Sequence, residues 1–171
     1  NPMFFTFDNK NLYVSSNRNR DKSALYIFDI ETGTETDLIF EHDEVDIHQA
    51  MYSKKRKILT GVSAYTSKME YHFYDEWREN VQKELESQLP GVEVRLSGLD
   101  DNETMALVRT FSDKTRGAYY LFNTKTNELN KLADISPWLD SSKMADMEPI
   151  SYKSRDGLTI NGYLTLPKDS P

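Results

Sequence analysis

A stretch near the start of this chain returns near its end. NLYVSSNRNRDKSALYIFDIETGTETDL (Asn11 to Leu38) lies without a gap on MALVRTFSDKTRGAYYLFNTKTNELNKL (Met105 to Leu132), so that Val14 meets Val108, Leu25 meets Tyr119, Phe28 meets Phe122 and Leu38 meets Leu132. The offset of 94 residues is about two periods of a propeller blade, whose repeats run about 40–50 residues. A copy midway is then required. ILTGVSAYTSKMEYHFYD supplies it, with Tyr71, Phe73, Tyr74 and Asp75 opposite Leu25, Ile27, Phe28 and Asp29 at an offset of 46. Units repeated at this spacing bury their apolar faces against one another, because each is too small to do so alone.

The runs ALYIF, EYHFY and AYYLF do not alternate apolar with polar, which a strand with one wet face would do. Cover on both faces is expected, as stacked blades provide. In the first blade, strands near Met3 to Asp8, Asn11 to Ser16, Ala24 to Ile30 and Glu35 to Phe40 are separated by DNKN, NRNRDK and ETGT, all turn chemistry. Ten tyrosines and eight phenylalanines add strand propensity. The reading is all-β: a partial β-propeller of about three blades, one carrying a helix, followed by a β-hairpin. Blades at about 1–40, 47–90 and 92–132 make a propeller part at 1–134, with a linker at 135–148 and the hairpin region at 149–171. The competing reading is an antiparallel sandwich in which two hairpins resemble each other by chance. Three blades do not close a ring of four to eight, and the first residue is Asn1, not Met, so the chain is expected to be an internal piece of a longer protein.

The middle copy departs from its sisters. After Asp75 comes EWRENVQKELESQLPG, where Trp77, Val81, Leu85 and Leu89 recur every fourth residue as one apolar stripe. This spacing predicts a helix over Asp75 to Leu89, with Asp75 as N-cap, Glu76 and Glu79 in the first turn, and Pro90-Gly91 as the stop. A lid or partner-binding helix is one use for it. Packing against its own blade is the expected one, because apolar stripes usually bury internally.

Near the end stands YKSRDGLTINGYLTLP, Tyr152 to Pro167. Tyr152 to Ser154 and Leu158 to Leu166 read as strands around Asp156-Gly157, a strong hairpin signal because Gly takes a positive φ without strain. A lone hairpin is marginal in water and needs a third strand or a helix on its apolar face.

Several chemistries are absent or weak. A net charge of -7 with no Lys/Arg stripe argues against nucleic acid as a partner. With no cysteine there is neither a disulfide nor a thiolate metal site, and no apolar run reaches the roughly 20 residues of a membrane helix. GVSAY, around Ser63, approaches the serine elbow G-x-S-x-G but lacks its last glycine and any following helix. His42, Asp43, Glu44, Asp46 and His48 could ligate a metal, yet their spacing matches no metal motif and a solvated acidic loop is the default. His72 lies in a repeat strand, where a packed, hydrogen-bonded histidine is expected. Asn102 begins an NET sequon, meaningful only in a secreted eukaryotic chain. No catalytic, cofactor-binding or metal-ligating residue is assigned, and no cofactor is expected.

The repeats, the helix-bearing blade, the linker SPWLD and above all MEPISYKSRDGLTINGYLTLPKD resemble the prolyl oligopeptidase family of serine peptidases, especially its dipeptidyl-peptidase-like and acylaminoacyl-peptidase-like members. The resemblance implies an N-terminal propeller followed by an α/β-hydrolase domain, whose sheet a segment like Pro149 to Leu166 opens. It implies that the catalytic Ser, Asp and His lie beyond Pro171, that this piece is itself non-catalytic, and that it limits access to short peptides. It implies as partners those peptides and the chain's own hydrolase domain, and it favours a periplasmic or secreted setting over a cytoplasmic one. From a different class comes the alternative, a non-enzymatic propeller scaffold for protein or ligand binding. The open blade faces further predict self-association of the isolated chain.

Overall fold

The computed structural model describes residues 1–168, which fall into two compact units, Asn1–Asn80 and a second from Val81 onward. In the first unit, β1 (Pro2–Phe5), β2 (Asn11–Ser16), β3 (Ala24–Asp29) and β4 (Thr34–Phe40) form an antiparallel meander in chain order. A three-stranded meander follows, β5 (Ile47–Ser53), β6 (Ile58–Tyr65) and β7 (Met69–Phe73). In the second unit, β8 (Glu93–Leu99), β9 (Met105–Phe111), β10 (Ala118–Asn123) and β11 (Glu128–Asp134) make another four-stranded meander, and β12 (Met147–Lys153) pairs with β13 (Thr159–Thr165) as a separate hairpin. The protein is mostly β in several antiparallel sheets, as a partial propeller requires. The three repeat copies correspond to the three meanders, and Val14 and Val108 are buried at matching places in β2 and β9.

The turns follow from the residues noted in the sequence. Asn9, Asn19 and Asn127 adopt φ of 58°, 58° and 59°, and Gly33 adopts 68°. Asn and Gly enter this left-handed region at low cost, so they set where each strand reverses.

Leu25, Ile47, Ala50 and Val62 form the core between the two sheets of the first unit, with Phe4, Tyr13 and Phe40 packed against it. Full burial of a side chain such as Leu25 contributes about 1.5–3 kcal/mol. Cover on both faces, expected for ALYIF, EYHFY and AYYLF, is instead the property of β6, where Thr60 through Ala64 are continuously buried. The reason is position. In β3 burial is complete only at Ala24 and Leu25; β7 is the outer strand of its sheet and exposes Glu70 and His72; β10 buries Ala118 and Phe122 while Tyr119 is 36% exposed. Leu25 and Tyr119 hold the same repeat position, yet Leu25 lies in the core between two sheets while Tyr119 is exposed.

In place of a fourth strand the middle meander is followed by α1 (Glu76–Gln88). Asp75 caps it, its Oδ2 accepting from the Arg78 N–H at 3.0 Å. Of the apolar stripe, Val81 and Leu85 are buried while Trp77 and Leu89 are half-buried. The helix packs, but not simply on its own blade. From Val81 onward it also bonds to the following meander: buried Gln82 donates Nε2–H to the Val94 carbonyl of β8 at 3.0 Å, and Gln88 donates to the Asn127 carbonyl at 2.9 Å.

Candidate functional site

Among the described residues, none with catalytic or ligating potential is gathered into a reactive cluster. Ser63 lies in the middle of β6, 3% exposed, and its hydroxyl donates to the Gln49 carbonyl at 3.4 Å. The neighbouring Gly61 is there for sheet packing: a Cβ would sit 2.5 Å from the His72 carbonyl oxygen of β7. The elbow geometry that exposes a nucleophile is therefore missing along with the last glycine of its motif.

The acidic loop is dispersed. His42 Nδ1 accepts from the Glu44 N–H at 3.1 Å and its Nε2 lies 3.6 Å from Glu70, Asp46 accepts from the Ser23 N–H at 2.6 Å, and the His48 ring meets Tyr65 edge-on at 4.8 Å. Asp43 is exposed in the same loop. Asp46 is held below its ordinary pKa mainly by the bond from Ser23, so it serves to pin the loop that precedes β3. Among the described residues no group of three or more His, Asp or Glu could hold a metal ion. His72 is exposed rather than packed in a core, with its ring 5.1 Å from Phe40 and 4.9 Å from Tyr74. The outward direction of alternate β7 side chains explains the difference. Asn102 is exposed in the β8–β9 turn, beside Glu103 at φ 55°. Among the described residues no helix is long and apolar enough to cross a membrane.

Two assemblies were not visible in the sequence. Arg56, in the β5–β6 turn, donates from Nη1 to Asp75 Oδ1 at 2.6 Å while its guanidinium lies 4.7 Å from the centre of the Trp77 ring. This bond, more than partial burial opposes it, holds Asp75 below its ordinary 3.8. One carboxylate thus caps the helix and fixes its entry. Nothing in the sequence marks the pair, which is separated by 19 residues. The second assembly is at the hairpin base, where Asp113 Oδ2 accepts from the Met147 N–H at 2.9 Å and Lys114 pairs with Asp146.

The hairpin itself is longer than Tyr152–Ser154 and Leu158–Leu166 suggest on its first strand, and shorter on its second. β12 begins at Met147 and runs through Pro149, which faces Tyr163. A two-stranded sheet consists of edges only, so the missing proline N–H is tolerated. The reversal is a three-residue loop, Arg155 to Gly157, with Gly157 at φ 87° and its N–H on the Ser154 carbonyl at 3.0 Å. That is the turn-plus-bulge form, the next commonest after the two-residue turn. Apolar side chains are exposed on both faces: Tyr152 is 56% exposed on one and Tyr163 51% on the other.

No described protein family's sequence profile matches the chain. Dipeptidyl aminopeptidase BIII of Pseudoxanthomonas mexicana is 28% identical over 170 residues, which is 99% of this chain and 24% of that protein. The chain thus spans about a quarter of the length of this curated relative. A solved structure from a study of two prolyl endopeptidases superposes with a TM-score of 0.57 at 17% identity, covering 94% of this chain and 23% of that one, and so agrees in fold. With the repeats, the helix-bearing meander and the SRDGLTINGYL hairpin, these similarities support a likeness to a propeller-like part of the prolyl oligopeptidase family peptidases.

Proposed function

We propose that this chain is the access-limiting propeller portion of a serine peptidase that acts on short peptides, with the chemistry carried by an α/β-hydrolase domain that the hairpin β12–β13 opens. The observation that carries the reading is the hairpin. It is the next sheet in the chain after the third meander, bears the family-like SRDGLTINGYL, and presents apolar side chains on both faces, as a sheet does when further layers pack on it. The relative that aligns over nearly the whole chain is named a dipeptidyl aminopeptidase, which supports peptides as the substrate class. Acyl transfer through a histidine-activated serine is the implied reaction. In this reading the propeller part contributes exclusion rather than catalysis.

The test is the complete protein. Its reading frame is expected to continue past Pro171 into G-x-S-x-G, then Asp, then His. Purified, it should cleave short peptide substrates and reject folded proteins, and removal of the propeller part should relax that size limit. A frame that closes within a few residues of Pro171 would sink the peptidase reading and leave a binding scaffold in its place.

A further inference from the structure

The connection between β11 and the hairpin is held at both of its ends by one loop. Residues 112–117, which join β9 to β10, are fixed by their own bonds: Ser112 N–H to the Thr115 carbonyl at 2.9 Å, Lys114 N–H to Ser112 Oγ at 3.1 Å, and Gly117 N–H to Thr115 Oγ1 at 2.9 Å. Gly117 has φ 80°, and a Cβ there would lie 1.7 Å from the Thr110 carbonyl oxygen, so the loop closes only with glycine. At the near end of the connection, Ile135 N–H donates to the Gly117 carbonyl at 2.9 Å, backbone to backbone. At the far end, Asp113 accepts from the Met147 N–H at 2.9 Å, and Lys114 pairs with the adjacent Asp146. In between, the Leu139 N–H lies on the Ser136 carbonyl, a turn of 3₁₀-helix is capped by Asp140, and Lys168 reaches the Ser142 carbonyl.

The two ends differ in kind. Gly117 O is a backbone acceptor flanked by buried Thr110 and Ala118. The far end consists of exposed charges, which salt screens and which solvent competes for. Beyond Met147 the strands β12 and β13 are exposed almost throughout.

We propose that the loop 112–117 is a bracket with one permanent and one releasable jaw. The Ile135–Gly117 bond is the pivot. Asp113 and Lys114 are the latch on Asp146 and Met147 that sets the direction of the hairpin, and opening the latch lets the hairpin swing on residues 136–146 while β8–β11 stay folded. The bracket works the same way whatever the hairpin leads into, so it stands apart from the peptidase reading.

Amide hydrogen exchange on the complete protein tests it without reference to activity. Asp113→Ala is expected to speed exchange of the Met147 amide about tenfold, the scale of one hydrogen bond, while Val108 in β9 keeps its protection. Asp113→Asn, which retains an acceptor oxygen, should restore most of the protection. Lys114→Asp should loosen the same amide, Lys114→Asp combined with Asp146→Lys should tighten it again, and salt near 1 M should move the natural protein toward the Lys114→Asp behaviour. Unchanged exchange at Met147 in Asp113→Ala would overturn the latch. So would a charge swap no better than the single reversal, or equal loosening of β9 and β12, which would make the loop a general support.

Discussion

At the scale of single residues, Asp75 does the most with the least. Its carboxylate caps α1 through the Arg78 N–H and binds Arg56, which in turn lies over Trp77. Asp75→Ala removes both contacts, and loss of the cap alone costs about 1 kcal/mol, so the urea midpoint should fall at neutral pH. The sign with pH follows from the lowered pKa. The folded state holds Asp75 ionised more readily than the unfolded chain does, so its contribution is present above the ordinary carboxylate range and is lost as pH falls through the lowered value. The natural and Asp75→Ala chains should therefore converge in stability in strong acid; a gap that persists there would mean that the carboxylate's charge is not what stabilises the helix. Ser63 gives a second prediction at this scale. Being buried, with its hydroxyl directed to a backbone carbonyl, it should leave the chain unlabelled by a fluorophosphonate probe, and mass spectrometry showing stoichiometric adduct on Ser63 would contradict that.

At the scale of elements, the helix shows how a stripe on paper divides in the fold. Trp77, Val81, Leu85 and Leu89 share one face, yet Leu85 has no exposed surface while Leu89 is half-buried just past the end of the helix, before Pro90. Leu85→Ala should cost about 2–5 kcal/mol, and Leu89→Ala clearly less, by chemical denaturation of the two variants side by side. Equal costs would mean that the last turn is as well packed as the middle. The helix period was legible because it repeats every fourth residue over a long stretch. Which sheet receives the helix was not, because Gln82 and the Val94 carbonyl meet through backbone geometry and no side-chain pattern announces a carbonyl.

At the scale of the whole molecule, exposed apolar surface governs behaviour. Tyr152, Leu158 and Leu166 are exposed on the hairpin, as are Phe5 and Leu38 on the first meander. Covering about 400 Å² of such surface would gain about 10 kcal/mol before the costs of association, which take back much of it. We expect the isolated chain to self-associate into a discrete dimer or small oligomer, the net charge of -7 opposing unlimited growth. Light scattering after size exclusion, at roughly tens of micromolar, checks this. A monodisperse monomer that binds no apolar dye would show that these faces carry no net drive to associate.

The repeat offsets, the turn residues Asn9, Asn19 and Gly33, the helix with its cap, and the hairpin around Gly157 could all be read in the sequence because each rests on local chemistry or on self-similarity. The dispersal of His42, Asp46 and His48 could not be read, since whether side chains converge depends on where the chain returns in space. Leu25 and Tyr119 occupy one position of one repeat, and only the tertiary structure decided that Leu25 is core between two sheets and Tyr119 is surface. Arg56 with Asp75, and Asp113 with Met147, were likewise decided by the tertiary structure, because a hydrogen bond between distant residues leaves no period, spacing or composition behind it.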